Sequence, residues 1–545
     1  MTQSIDIQQH FSPELCDGFV LRDYQHDLVE KIFSEWKKGH RRVMAQLPTA
    51  GGKTVTFAAI AKYFTDQNVN VLIMAHRKEL VVQAGDKIQR ITGEGVGYIK
   101  AGIPPEPHHR IQIASVQTLA RRKTGFTPAL IIIDESHHAI TKSYTKVMEA
   151  FPNAYILGVS ATPHRNDGQG FTDHFDVLVE GISVSELIQK GHLSSFKMFG
   201  AVPIDTTRIS QAGGDYNQQQ LQMQAMRMVQ QVYPTWSKYA KDKKTIVFAV
   251  GVLHSQAIAD EFNKNGVVAK HLDGESPEKE REEALEAFER GEITVLTNCG
   301  LFLEGLDICS IEAVQVCRPT CSLVLDKQMW GRGLRPFPGK EYVVLIDHTE
   351  NWSRHGLPDE KVEWSLSPKS LKGDDHAIKC KSCEHCFRAL PHELSRPVRV
   401  DDGVPIYEVT CPNCKSVLEL KSGSKVAEEP TGLLPEEDEM EIQIKELTAK
   451  SNPEFLPLIN KAIATQRKKG YEKYWVWHEL VKRSKGAEFG IGDWKIVAQK
   501  LGYKPGWSNY AWRDAQVWAE DQKKSPLTTM TVLDSSSTKN ISSFS

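Results

Sequence analysis

The stretch "LPTAGGKT", Leu47 to Thr54, ends in Gly-Lys-Thr, the ending of a phosphate-binding loop. It lies between an apolar run and a helical pattern. There the N–H groups of Thr49, Ala50, Gly51 and Gly52 can cradle phosphate oxygens with help from the helix dipole. Lys53 would reach the β- and γ-phosphates of ATP, and Thr54 would offer its hydroxyl to Mg2+. Leu47 stands where such loops usually open on glycine, and Ala50 where another glycine is common. The alanine matters only if position 50 needs φ > 0. Further on, "IIIDES" sets Asp134 and Glu135 at the end of an apolar strand. Asp134 suits Mg2+, through water, and Glu135 suits orienting and deprotonating an attacking water.

A second chemistry is written in cysteine. Five of the ten cysteines fall between Cys380 and Cys414, and four of them form two Cys-x-x-Cys pairs: Cys380 with Cys383, and Cys411 with Cys414. Two such knuckles can present four thiolates to a tetrahedral structural Zn2+. Cys386 and His385 leave the first knuckle ambiguous, because Cys383 and Cys386 have the same spacing.

These groups need a scaffold, and the apolar pattern predicts an α/β one. "RRVMAQL", "VNVLIMA", "RIQIASV", "ALIIIDE" and "AYILGVS" alternate with helical segments, as in a buried parallel sheet. After a Gln/Met-rich stretch, a second series from "KTIVFAV" to "EYVVLID" predicts a second α/β lobe, and hence a cleft between the two. Expected boundaries are an N-terminal extension over 1–18, the first lobe over 19–200, a connector over 201–235 and the second lobe over 236–370. A zinc-ribbon-like module over 371–424 follows, then an acidic linker over 425–450. A basic, Trp-rich, mainly α domain over 451–522 comes next, with a tail over 523–545 too poor in apolar residues to pack.

The net charge of -2 hides an asymmetry. Lys425 to Glu446 carries a net of -6 and Lys450 to Lys524 a net of +7, so the terminal domain is the local candidate for nucleic-acid binding. Its tryptophans are read mostly as core. No apolar run approaches the ~20 residues of a membrane span, and the first residues do not form a secretory signal, so a cytoplasmic location is expected.

Taken in order, the motifs resemble a superfamily 2 helicase of the DExH type over about Phe19 to His348. The resemblance implies two tandem RecA-like domains with ATP between them. "LRDYQ" resembles the adenine-binding segment, with Gln25 pairing the base. "DESH" resembles motif II. "SAT", with Ser160 and Thr162, resembles the segment that couples ATP state to domain movement. "QMWGRGLRP" resembles motif VI, and the spacing of Arg332 and Arg335 predicts a shared helical face for two arginine fingers. "TNCGLFLEGLD" resembles motif V, with Gly305 and Asp307 near the nucleotide. "AHRKELVVQ", "ASVQTLAR" and "VFAV" resemble the nucleic-acid track, implying phosphate contacts by Arg77, Ser115, Gln117 and Thr297. "LIQKGHLSSF", "MWGRGLRP" and the cysteine module resemble the RadD group, near the XPB and type III restriction branches. That implies DNA repair or recombination on single-stranded or branched DNA, with single-strand-binding and recombination proteins as partners. A restriction or phage-defence motor, an RNA helicase, and a nucleic-acid sensor with negligible turnover are the alternatives.

Overall fold

The computed structural model describes residues 7, 11, 15–75, 80–100, 106–119, 125–138, 141–165, 169–212, 214–303, 308–367, 377–390, 392–395, 397–401, 404–421, 459, 461–465, 476 and 480. The chain divides into two units, 1–431 and 432–545.

The first lobe holds β1 (Arg42–Gln46), β2 (Val71–Ala75), β3 (Val96–Ile99), β4 (Ile111–Ser115), β5 (Leu130–Asp134), β6 (Tyr155–Ser160) and β7 (Val177–Glu180). They form one sheet in the order β3-β4-β2-β5-β6-β1-β7, parallel throughout. β4 is buried at every residue and β5 at all but Asp134, which explains their unbroken apolar runs: helices cover both faces. The Asp23–Lys37 helix buries Tyr24, Leu28, Ile32 and Trp36, four residues apart and so on one face. Phe33 of that helix meets Trp36 and Tyr63 edge-on, with centroids 5.2 and 4.8 Å away. Each such ring is worth about 1.5–3 kcal/mol of burial as an upper bound, and the packing sets the helix start beside the phosphate loop.

The second lobe contains β8 (Ser195–Gly200), a small hairpin of β9 (Gln211–Ala212) and β10 (Asp215–Tyr216), then β11 (Thr245–Ala249), β12 (Ala269–Leu272), β13 (Val295–Asn298), β14 (Ala313–Cys317) and β15 (Tyr342–Asp347). The cysteine region adds β16 (Ala377–Lys379), β17 (His385–Arg388), β18 (Arg399–Asp401), β19 (Val404–Thr410) and β20 (Val417–Lys421). The second sheet runs β12-β13-β11-β14-β15-β8-β17-β16, parallel from β12 to β8 and antiparallel beyond. β18, β19 and β20 make a separate antiparallel sheet.

Two expected boundaries move. β8 lies inside the segment read as the first lobe, yet it pairs with β15 over six residues of the second sheet, where Met198 and Phe199 are buried. β16 and β17 lie inside the expected zinc module but extend that same sheet. Hydrogen bonding explains both: an apolar strand end needs a partner edge, and the nearest in sequence is not the nearest in space. Between the lobes lie two helices, Gln218–Met226 and Val229–Tyr239.

In the second unit residues 459, 461–465, 476 and 480 are helical, and Ile459, Ala462, Ile463, Val476 and Leu480 are buried. The acidic linker, most of the basic domain and the tail lie outside the described residues. Among the described residues no helix is long and apolar enough to cross a membrane.

Candidate active site

β6 lies between β5 and β1, with Gln46 opposite Ser160 and Asp134 opposite Val159. The loops that follow these strands therefore emerge side by side at one sheet edge. They carry the phosphate loop, the acidic pair and the Ser-Ala-Thr segment.

In the phosphate loop Ala50 has φ +64° and Gly52 has φ +85°. A Cβ on Gly52 would stand 2.2 Å from Gln25 Nε2, the movable end of a side chain, so it is φ that calls for glycine there. Gln25 Nε2 donates to the Gly51 and Gly52 carbonyls at 3.3 and 3.4 Å, and Gln25 Oε1 accepts from Arg22 N at 3.0 Å. Tyr24 Oη donates to the Gly51 carbonyl at 3.0 Å. The amide expected to read adenine is thus turned onto the loop itself. His192, from the segment linking the lobes, lies 5.3 Å from the Tyr24 ring, and burial lowers its pKa.

Lys53 opens the Lys53–Asp66 helix, and its Nζ donates to Glu135 Oε1 at 2.7 Å. Glu135 sits at φ +50°, also left-handed, just past β5. Glu135, one member of the ion pair, and Ala50, three residues before the other, thus both have left-handed backbone. The Glu135 N–H donates to Asp134 Oδ1 at 3.0 Å. His137 Nδ1 lies 3.5 Å from Glu135 Oε2 and 3.1 Å from Ser160 Oγ. Ser160 Oγ accepts from Thr162 N at 3.1 Å. The buried His137 ring therefore links the acidic pair to the Ser-Ala-Thr segment, a role to which no residue was assigned from the sequence. Its position in "DESH" was the available signal. Thr54 and Asp134 supply hard oxygens, the donor set that Mg2+ prefers.

The second lobe approaches this loop directly. A Cβ on Gly331 would lie 2.8 Å from Thr49 Cβ and 2.9 Å from its Cγ2. The motif VI helix is shorter than expected: Leu323–Gly331 is helical, and Arg332 is its C-cap. Gly333 N reaches back to the Trp330 carbonyl at 3.1 Å, three residues away, so the chain tightens into a turn. A Cβ on Gly333 would meet Val314 and Val343 at 2.8 Å, which holds the turn against the sheet. Arg332 and Arg335 consequently do not share a helical face. Arg332 is buried and donates to the Leu303 carbonyl, whereas Arg335 is half-buried. Lys340, missed in the sequence, pins the turn by donating to the Gly333, Ile311 and Cys309 carbonyls at 3.1, 3.0 and 3.2 Å. Burial pulls its pKa down to about 8.

Of the expected strand contacts, Ser115 and Thr297 are buried. Thr297 Oγ1 donates to the Ser255 carbonyl at 2.8 Å and lies 3.0 Å from Ser255 Oγ, so its hydroxyl is engaged inside the lobe. Gln117 lies in the Val116–Leu119 helix, but its side chain, like Arg77, Gly305 and Asp307, is outside the described residues.

The four knuckle cysteines converge. Cys380 and Cys414 sulfurs are 3.6 Å apart, Cys383 and Cys411 sulfurs 3.7 Å, and all four lie within 4.8 Å of one another. Tetrahedral Zn2+ with Zn–S of about 2.3 Å needs sulfurs roughly 3.8 Å apart. The two knuckles repeat one backbone design. Glu384 at φ +60° donates its N–H to the Cys380 carbonyl, and Lys415 at φ +63° does the same to Cys411. Cys386 and His385 are drawn elsewhere, into β17 beside β8. Cys386 is buried near Gly200, and His385 stacks on Phe387 with centroids 6.1 Å apart. The Cys380–Cys383 and Cys411–Cys414 pairs therefore make the cluster.

Comparison with known proteins fits both lobes. The family model for the type III restriction enzyme res subunit matches residues 18–165, and that for the helicase conserved C-terminal domain matches residues 224–336. A 51.5 kDa protein of a Lactococcus phage is 31% identical over 64% of this chain and 75% of its own length. IRC3 of Saccharomyces cerevisiae, which bears the name of an ATP-dependent helicase, is 32% identical over 60% of this chain and 51% of its own. XPB2 of Sulfurisphaera tokodaii, named a DNA 3'-5' translocase, is 29% identical over 34% of this chain and 41% of its own. The chain thus spans about half of IRC3 and less of XPB2. In fold it is similar to a fragment structure described as an HsdR subunit of a type I restriction enzyme from Vibrio vulnificus YJ016. There the TM-score is 0.50 at 21% identity, over 62% of this chain and 67% of that one.

Proposed function

We propose that this chain, which belongs to superfamily 2 of the helicases in the branch of the type III restriction subunits and XPB, is a motor that moves on DNA. It is a nucleic-acid-dependent ATPase. The approach of Gly331 to Thr49 carries the reading of a working cleft, because it brings the second lobe onto the phosphate loop of the first.

ATP would bind at that loop, with Mg2+ held by Thr54 and Asp134; the ion would screen the phosphate charges. Lys53 would exchange Glu135 for phosphate oxygens. Glu135, released, would orient the attacking water and take its proton. Arg332 and Arg335 would then meet charge developing on the γ-phosphate. Arg332 must first leave the Leu303 carbonyl, so hydrolysis is tied to a rearrangement of the arginine turn. His137 and Ser160 pass the state of Glu135 to the Ser-Ala-Thr segment at the interlobe face. Alternating closure and opening would step the lobes along one strand. Zn2+ at the four cysteines would be structural, since four protein ligands leave no open position.

DNA as the track is supported by XPB2's name and by the restriction-enzyme family match, and repair or recombination is the setting that the RadD resemblance implies. Single-strand-binding and recombination proteins are the partners that go with it. A restriction-type or phage-defence motor is the second reading, favoured by the res-subunit match over 18–165. ATP hydrolysis measured with single-stranded DNA, forked DNA and RNA tests the choice of polymer. Stimulation by either DNA in preference to RNA is expected; stimulation by RNA alone would overturn it.

A further inference from the structure

Between the second lobe and the cysteine knuckles the chain takes a detour. After the Asn351–His355 helix it turns at Gly356, where φ is +73° and a Cβ would stand 2.0 Å from Glu360 Oε2. Leu357 is buried in the main core. The chain then crosses to the first lobe, where the Leu366 carbonyl accepts from Phe171 N at 2.6 Å and Leu366 packs on the cluster that holds Phe171 and Phe175. This strap walls a cavity of about 340 Å³ between the lobes. Glu360 and Trp364 face it from the strap, Thr49 and Thr162 from the first lobe, and Lys327 and Gly331 from the motif VI helix.

Polar contacts tie the strap at both sides. Lys327 Nζ donates to the Leu357 carbonyl at 2.7 Å. Glu360 Oε2 accepts from Leu357 N at 2.9 Å and lies 3.5 Å from Arg388 Nη2. The same Arg388 nitrogen donates to Asp359 Oδ1 at 2.9 Å. Arg388 ends β17, the strand that follows the first cysteine knuckle. Lys327 lies one helical turn before Gly331, the residue that meets Thr49, and Arg332 comes next. Contacts therefore run unbroken from the cysteine module, through the strap, to the arginine turn. Glu360 is 8% exposed and its Oε1 has no hydrogen-bond partner. A buried carboxylate with one oxygen left unpartnered carries a cost to the fold, so a role in holding neighbouring groups gives it a reason.

We propose that Lys327, Glu360 and Arg388 are positioning residues for ATP hydrolysis: the cysteine module anchors the strap, and the strap sets the motif VI helix at the depth where Gly331 meets Thr49. The proposal rests on the motor reading above. Without the strap's hold, the helix can shift along its axis and carry Arg332 and Arg335 with it. Nucleotide binding is affected little, because the phosphate loop belongs to the first lobe.

The test uses the full, metal-loaded chain with saturating single-stranded DNA. Lys327→Met, Arg388→Ala and their double variant are compared for kcat, KM for ATP, zinc content and Tm. Each single variant should lose roughly tenfold in kcat, with KM within about twofold of the parent. The double variant should be no slower than the slower single, because both changes break one chain of contacts. Zinc content should match the parent, and Arg388→Lys should recover most of the rate. Unchanged kcat in either single variant, losses that multiply in the double, or a change confined to Tm overturns the proposal. If Lys327→Met does not unfold cooperatively, Lys327→Arg and Glu360→Gln carry the comparison, with the same rate loss expected for Glu360→Gln and a milder one for Lys327→Arg. A parent that does not turn over ATP contradicts the motor reading and this proposal together. An active parent with indifferent variants contradicts this proposal alone.

Discussion

Ala50 at φ +64° is the residue on which the phosphate loop's tolerance can be measured. Alanine bears a modest cost in the left-handed region, and a β-branched side chain bears more. Ala50→Gly should bind ATP within about threefold of the parent, while Ala50→Val should lose roughly tenfold or more. Equal affinity for all three, measured by titration with labelled nucleotide, would mean that the loop changes conformation on binding. The residues named from sequence strings were the readable ones: Lys53, Thr54, Asp134 and Glu135 sit in contiguous motifs whose spacing survives any fold. Contacts between distant positions were not readable. The Lys53–Glu135 pair joins residues 82 apart, and the His137–Ser160 link joins residues 23 apart. Arg332 and Arg335 were misplaced for a local reason: a helical repeat was extended across Gly333, where the chain turns to fit Val314 and Val343.

At the scale of elements, the Leu323–Gly331 helix and the cysteine knuckles each make a separable prediction. A Cβ on Gly331 collides with Thr49 at the start of the loop. Gly331→Ala should lower kcat roughly tenfold or more by holding the lobes apart. Thr49→Gly in the same chain should restore part of the rate, and unchanged turnover by Gly331→Ala would show that the lobes need not approach so closely. The zinc knuckles should fail as a pair. Cys411→Ser should lose bound zinc by elemental analysis, whereas Cys386→Ser should keep it, because Cys386 lies in the β17 strand away from the cluster. Zinc retained by Cys411→Ser would remove the four-cysteine assignment. Parallel strands were legible from their apolar runs and turn residues, but strand partners were not. β8 and β17 have no mark in the sequence that directs them to the second sheet; the open edge of β15 receives β8, and the edge of β8 then receives β17.

The whole molecule carries an acid-sensitive second lobe. His254, His348 and His355 are buried there, and loss of solvent lowers their pKa values to about 3, about 4 and about 4. As pH falls below the ordinary imidazole value of about 6.5, the unfolded chain takes up protons that the folded chain refuses, so stability falls. Burial raises Asp326 and Asp347 to about 6, and below that pH their protonation favours the folded form and offsets part of the loss. Three histidines oppose two aspartates, and they act first. Tm should therefore decline as pH drops from 7 towards 5, and His254→Gln, which stays neutral, should make the decline shallower. A Tm that is flat or rising over that range would contradict the assignment.

The central claim is that the cleft at Lys53, Glu135 and the arginine turn hydrolyses ATP in response to nucleic acid. The most direct measurement is steady-state ATP hydrolysis with and without single-stranded DNA, for the parent and for Lys53→Ala. DNA should stimulate the parent, and Lys53→Ala should lose on the order of a hundredfold or more of the stimulated rate, as removal of a charge-stabilising group at a reacting centre does. Hydrolysis that no nucleic acid stimulates, or a Lys53→Ala variant as fast as the parent, would contradict it.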